Sequence, residues 1–164
     1  MAKRTIQNMT RKLLNKEVTV RSAITSDLGS MTSLLEELFT IEIDFTPDVR
    51  RQRLGLASLM SNPDATLLVA LINKEIVGMC TLQPLVSTAE GGIVGIVEDL
   101  VVSEKWRGQG IGSVLIDAIE KVAIEQKMSR LQLLTDMGNE PADQFYRKHT
   151  WEQTHLIAMR KKFD

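Results

Sequence analysis

The stretch that most restricts how this chain can fold runs from Val94 to Lys127. There a strand-like run passes through Arg107-Gly108-Gln109-Gly110-Ile111-Gly112 into a helix-like one. Val94 to Val102 reads as a strand. Beyond the glycines, Ile111, Val114, Leu115, Ala118, Ile119, Val122 and Ala123 fall on one stripe, which predicts a helix from Gly110 to about Lys127. A helix leaves its first backbone N–H groups unpaired, and its dipole favours an anion at that end. Glycine has no Cβ, so a ligand can approach the backbone closely. Arg107 adds a positive charge. The pattern points to a phosphate or pyrophosphate pocket, with a glycine turn that only serves helix packing as the alternative. Two common phosphate motifs are excluded by spelling. The dinucleotide fingerprint needs a glycine where Ser113 stands, and no G-x-x-x-x-G-K-[ST] occurs.

The rest of the chain supplies the order of elements around this junction. Val18–Arg21 alternates like a short strand, and Ser26-Asp27 opens a helix with Leu28, Met31, Leu35 and Leu38 on one face. Pro47 begins a second helix to about Met60. Thr66–Ile72 and Ile76–Leu82 form a hairpin across Asn73-Lys74-Glu75, and Gly91-Gly92 turns the chain into the Val94 strand. Arg130–Thr135 is a strand, Glu140 to about Lys148 a helix capped by Asn139, and Gln153 to about Lys161 a last strand. A meander followed by a strand–helix–strand crossover gives an α/β (α+β) fold: a mixed, mostly antiparallel sheet flanked by helices.

Composition sets the class. The chain has 164 residues, 43% hydrophobic and 25% charged, enough for one domain with a full core. Its net charge of -1 gives no general attraction to nucleic acid or to an anionic membrane. No apolar run approaches the ~18 residues of a membrane span. The single cysteine, Cys80, lies in an apolar run and reads as buried filler. Residues 1–17 carry Lys3, Arg4, Arg11, Lys12 and Lys16 before the first acid, Glu17, and read as a basic tail ahead of a domain spanning 18–164. The spacing of Ile6, Met9 and Leu13 also allows a short helix there. The simplest address is the cytoplasm.

Arg107-x-x-Gly110-x-Gly112, after Glu98-Asp99-Leu100-Val101-Val102, resembles the coenzyme A signature of the GNAT superfamily of N-acetyltransferases. Asn139-Glu-Pro-Ala-Asp-Gln-Phe-Tyr146-Arg-Lys148 resembles its second signature, and the element order between them is similar as well. Locally the two motifs look most like the diamine acetyltransferases. One departure is visible. The family has glycine before the aromatic that follows the tyrosine helix, whereas this chain has Thr150 before Trp151, and threonine disfavours positive φ.

The resemblance implies acetyl-CoA as cosubstrate and an amine as acceptor. It implies a pantetheine arm pairing with the backbone of Leu100, Val101 and Val102. The diphosphate would sit at Arg107, Gly108, Gln109, Gly110, Ile111, Gly112 and Ser113, and Asn139 would add a hydrogen bond. Tyr146, the one tyrosine, takes the family's acid position; from the residues alone it reads as a helix residue packing on the sheet. Amine attack also calls for a base. Glu98 is the candidate, expected on one strand face with Leu100 and Val102 and raised in pKa by burial there. Asp99 is expected on the opposite face, either holding a second positive charge of the substrate or forming a surface ion pair. Glu42 and Asp44, between Phe39 and Phe45, would attract a cationic amine or merely form an acidic connection between helices. His149 and His155 lack the neighbours of a metal site. A small cationic amine is the expected acceptor. Protein lysine or N-terminal acetylation and a catalytically silent acyl-CoA-binding module are the alternatives. A homodimer joined through the last strand is possible.

Overall fold

The computed structural model describes residues 8–13, 16–42 and 44–163. The chain divides into two compact units, Met1–Leu133 and Leu134–Asp164. The first holds six strands: β1 (Met9–Leu13), β2 (Lys16–Ser22), β3 (Thr66–Ile72), β4 (Glu75–Ser87), β5 (Gly92–Val102) and β6 (Leu131–Gln132). They form one sheet in chain order, antiparallel from β1 to β5, with β6 parallel to β5. This is the mixed, mostly antiparallel sheet expected. The helices of this unit are α1 (Leu28–Ile41), α2 (Val49–Ser61) and α3 (Ile111–Glu125).

The sheet buries both faces. On one, Met31, Leu34 and Leu35 of α1 and Leu56 of α2 pack with Leu67, Val69, Met79 and Val101 of the strands. On the other lies the stripe of α3, with Ile111, Leu115, Ile116 and Ile119 at most 1% exposed. Glycine permits close approach at two points. A Cβ on Gly78 would meet Val101 O at 3.0 Å and Leu115 Cδ1 at 3.2 Å; on Gly95 it would stand 2.4 Å from Leu131 Cδ2. Cys80 is buried and free, and burial pushes its thiol pKa up strongly.

Four elements depart from expectation. Met9–Leu13 is neither tail nor helix but an edge strand paired with β2 (Met9↔Val20 to Leu13↔Lys16). Its polar Thr10, Arg11 and Lys12 carry no core pattern; the ladder alone holds it, and charged side chains suit an exposed sheet edge. Lys3, Arg4 and Ile6 lie outside the described residues. Helix α2 starts two residues after Pro47, because Asp48 takes the cap: its carboxylate accepts from Arg51 N at 3.0 Å. Strand β6 keeps only Leu131 and Gln132 of the expected Arg130–Thr135, pairing with Gly95 and Ile96 just short of a bulge in β5 that bends that strand. The strand expected over Gln153–Lys161 does not form. A strand without a ladder partner leaves its backbone groups to water, and β character in the sequence does not replace one. The strand foreseen as a dimer seam is therefore absent.

In the second unit α4 (Glu140–Lys148) has the expected limits. Asn139 Oδ1 accepts from Ala142 N at 3.2 Å, so the expected cap is made. The helix ends in a two-bond motif, Trp151 N to Tyr146 O at 3.0 Å and Thr150 N to Arg147 O at 3.0 Å. That motif needs a left-handed residue, and Thr150 supplies it with φ 62°. The turn thus keeps its geometry despite threonine, at a cost in backbone strain.

Candidate active site

The site begins at an open sheet edge. β5 pairs with β4 as far as Val102, but with β6 only at Gly95 and Ile96. Among the described residues, Val97–Val102 therefore have no strand on the β6 side. Ser103 N donates to Val77 O at 2.9 Å, so Val102 and Gly78 are a pair that exchanges no hydrogen bonds. The N–H and C=O of Val102 then point to the open side, as do those of Leu100 opposite Cys80. Val102 O accepts there from Arg107 Nε at 2.9 Å, which leaves one of its two lone pairs.

A bulge interrupts the same strand. Leu82 faces Val97 and Cys80 faces Leu100, so Glu98 and Asp99 together oppose the single residue Thr81. Strict alternation fails here, and Glu98 does not share a face with Leu100 and Val102 as expected. Glu98 is exposed rather than buried. Asp99 is the buried carboxylate, 7% exposed. It forms no ion pair among the described residues, contrary to the surface pair expected. Instead Thr81 Oγ1 donates to Asp99 Oδ2 at 2.8 Å and accepts from Asp99 N at 3.0 Å. Burial pushes the Asp99 pKa up to about 6; the Thr81 bond pulls the other way, and the charge of Glu98 adds to the rise.

β5 leads into the glycine turn. Gly108 (φ 71°) and Gly110 (φ 83°) are both left-handed, and Gly110 is the N-cap of α3. The amides of Gly108, Gln109, Gly110, Ile111 and Gly112 donate no hydrogen bond among the described residues. Successive free N–H groups in such a turn, at a helix N-terminus, make an anion-binding concavity. Ser113 follows in the first turn of α3. The signature arginine is already engaged: besides Val102 O, Arg107 Nη2 lies 3.7 Å from Glu37 Oε2. Glu37 also accepts from Ser103 Oγ at 3.1 Å and Glu104 N at 2.9 Å. The C-terminal part of α1 is thereby fixed beside the end of β5. Half-buried Glu42 and exposed Asp44 follow directly, and Phe39 and Phe45 stack with centroids 5.1 Å apart.

In the second unit Tyr146 lies in an aromatic group, 5.2 Å from Phe145 and 5.7 Å from Trp151 between centroids. The His149 ring lies tilted against Phe145, with centroids 4.9 Å apart.

Sequence reading passed over Glu37 and Thr81. Thr81 carried a signal, as a lone hydroxyl in an apolar strand. Glu37 carried none, because an acid on a helix reads as solvated surface. Among the described residues no helix is long and apolar enough to cross a membrane.

Residues 30–151 match the model of the acetyltransferase (GNAT) family. The chain belongs to that family. A curated relative, the aminoalkylphosphonate N-acetyltransferase of Salmonella typhimurium, is 31% identical over 137 residues, covering 84% of this chain and 86% of the relative. This GNAT chain is therefore an N-acetyltransferase, an enzyme that acylates amines. Solved structures agree on the fold. A possible acetyltransferase from Clostridium difficile 630 superposes with a TM-score of 0.79 at 15% identity, over 93% of this chain and 99% of that one. An aminoglycoside N-acetyltransferase in complex with CoA gives 0.77 at 13% identity, over 90% and 96%.

Proposed function

We propose that this enzyme transfers the acetyl group of acetyl-CoA to the primary amine of a small cationic molecule. One observation carries the reading: the open backbone groups of Leu100 and Val102 are followed, one short turn at Glu104–Trp106 later, by amides of Gly108–Gly112 that are unpaired among the described residues. An extended arm adds to a sheet edge as another strand would. A diphosphate suits a glycine-lined helix N-terminus. Leu100 to Val102 would hold the arm and the turn from Arg107 to Ser113 the phosphates, with Asn139 as an additional contact.

An alkylammonium has a pKa near ~10 and must shed a proton before it attacks. Glu98, exposed beside the open edge, is the proposed base, directly or through a water. The amine nitrogen forms a bond to the thioester carbon, the C–S bond breaks, and the departing sulfur takes a proton. On the family's pattern that proton comes from Tyr146. Asp99 holds the bulge in place through Thr81. Glu42 and Asp44, together with Glu98, would provide acidic surroundings for a cationic acceptor; Asp99, buried against Thr81, would act only from behind the bulge. The names of these proteins support a small amine as acceptor, since one is an aminoalkylphosphonate N-acetyltransferase and another an aminoglycoside N-acetyltransferase.

The test is thiol release from acetyl-CoA with polyamines, aminoglycosides, aminoalkylphosphonates and peptides. Turnover on a small amine is expected. Turnover on peptides alone would replace the substrate class, and binding with no turnover would make this a silent acyl-CoA-binding module. Tyr146→Phe should lower kcat at least about tenfold with little change in acetyl-CoA affinity.

A further inference from the structure

The N-terminal hairpin packs on α3 at one point and on the glycine turn and the Trp106 segment before it at two. Arg11 of β1 pairs with Asp117 of α3 at 2.5 Å. The side chain of Leu13 lies 3.4 Å from where a Cβ on Gly110 would stand. Lys16, which opens β2, donates from Nζ to Gln109 Oε1 at 3.0 Å and rests 4.2 Å from the centre of the Trp106 ring.

The charges around the turn are not equivalent. Arg107 lies against Glu37, Lys105 pairs with Glu75 and Arg11 with Asp117. Lys16 has no carboxylate within ion-pair distance among the described residues. Its ammonium sits close to the N-terminal end of α3, where the dipole is positive and a cation is disfavoured. Among the described residues, five amides at that end are unpaired and the buried indole N–H of Trp106 has no hydrogen-bond partner. An unneutralised cation, a positive helix end and surplus donors together call for an anion.

We propose that the β1–β2 hairpin is part of the cosubstrate site and that Lys16 supplies positive charge to the phosphate groups of acetyl-CoA. This rests on the acetyl-CoA reading above. The lysine stem is flexible, so its ammonium can leave the Gln109 oxygen for a phosphate oxygen while staying over the indole. Arg107, held by Glu37 and Val102, then acts chiefly to shape the turn, and Lys16 carries the charge.

Calorimetric titration of the full chain with acetyl-CoA and with its 3′-dephospho form tests this. The proteins are wild type, Lys16→Gln, Lys16→Glu and Lys16→Arg, with Lys121→Gln on a distant turn of α3 as control. Lys16→Gln should raise the Kd of acetyl-CoA about tenfold, Lys16→Glu more, and Lys16→Arg should restore most of the affinity. The salt dependence of Kd should become shallower in Lys16→Gln. If the loss persists with the 3′-dephospho ligand, Lys16 faces the diphosphate; if it vanishes, Lys16 faces the 3′-phosphate. Either result supports the proposal. A Kd within twofold of wild type in both the Gln and Glu variants would overturn it. So would weaker binding with an unchanged salt slope, which would mean that Lys16 only props Trp106 and Gln109. Failure of the wild type to bind acetyl-CoA would sink the underlying reading as well.

Discussion

Replacing Asp99 by asparagine should change how stability depends on pH. Burial raises the Asp99 pKa from 3.8 to about 6, the Thr81 hydroxyl opposes the rise, and the Glu98 charge adds to it. Between those two values the folded chain keeps a proton that the unfolded chain has released. Stability therefore falls as pH climbs through the window, and the penalty is complete above about pH 6. A rise of this size corresponds to about 3 kcal/mol at neutral pH. Asparagine keeps an oxygen for the Thr81 hydroxyl and has no charge to lose. Urea unfolding of both proteins from about pH 4.5 to about pH 7.5 makes the comparison. Relative to the variant, wild type should lose about 2 kcal/mol across that range, or about 4–8 °C in Tm for a chain of this length. Any constant cost of the asparagine cancels in the difference, as do carboxylates that both proteins share. Profiles parallel to within about 0.5 kcal/mol would refute the claim that Asp99 is a buried acid without a cation.

Two further substitutions probe the backbone. Thr150→Gly should stabilise the protein by about 1 kcal/mol in thermal unfolding, because φ 62° suits glycine at the end of α4; a neutral or negative effect would mean that the turn holds no strain. Gly95→Ala should cost about 1–3 kcal/mol, since its Cβ would stand 2.4 Å from Leu131 Cδ2, 2.6 Å from Leu82 Cδ1 and 2.8 Å from Met128 Sδ. Denaturant midpoints measure this, and an unchanged midpoint would show that those side chains yield freely.

Residue pattern revealed some elements and hid others for physical reasons. The stripe from Ile111 to Ala123 and the Asn139 cap write long-range packing into local sequence, so α3 and α4 were legible. β1 was not, because a polar edge strand gains its order from the neighbouring ladder and not from a buried face. The bulge at Glu98-Asp99 was hidden for a related reason. Alternation encodes which face a residue takes only while the two strands advance in step, and one extra residue against Thr81 breaks the step. The bulge exchanged the expected settings of the two acids, exposing Glu98 and burying Asp99. Glycine spacing located the left-handed turn at Gly108 and Gly110 that opens α3, whereas the engagement of Arg107 by Glu37 depends on a helix distant in sequence.

The central claim is that the open edge of β5 and the glycine turn bind acetyl-CoA through backbone groups. It is tested most directly by following amide NMR resonances during titration with acetyl-CoA. The amides of Gly108, Gln109, Gly110, Ile111 and Gly112 should move together with those of Leu100 and Val102, while Gly91 in the remote β4–β5 turn stays still. Saturable binding that leaves the turn amides unmoved would contradict it.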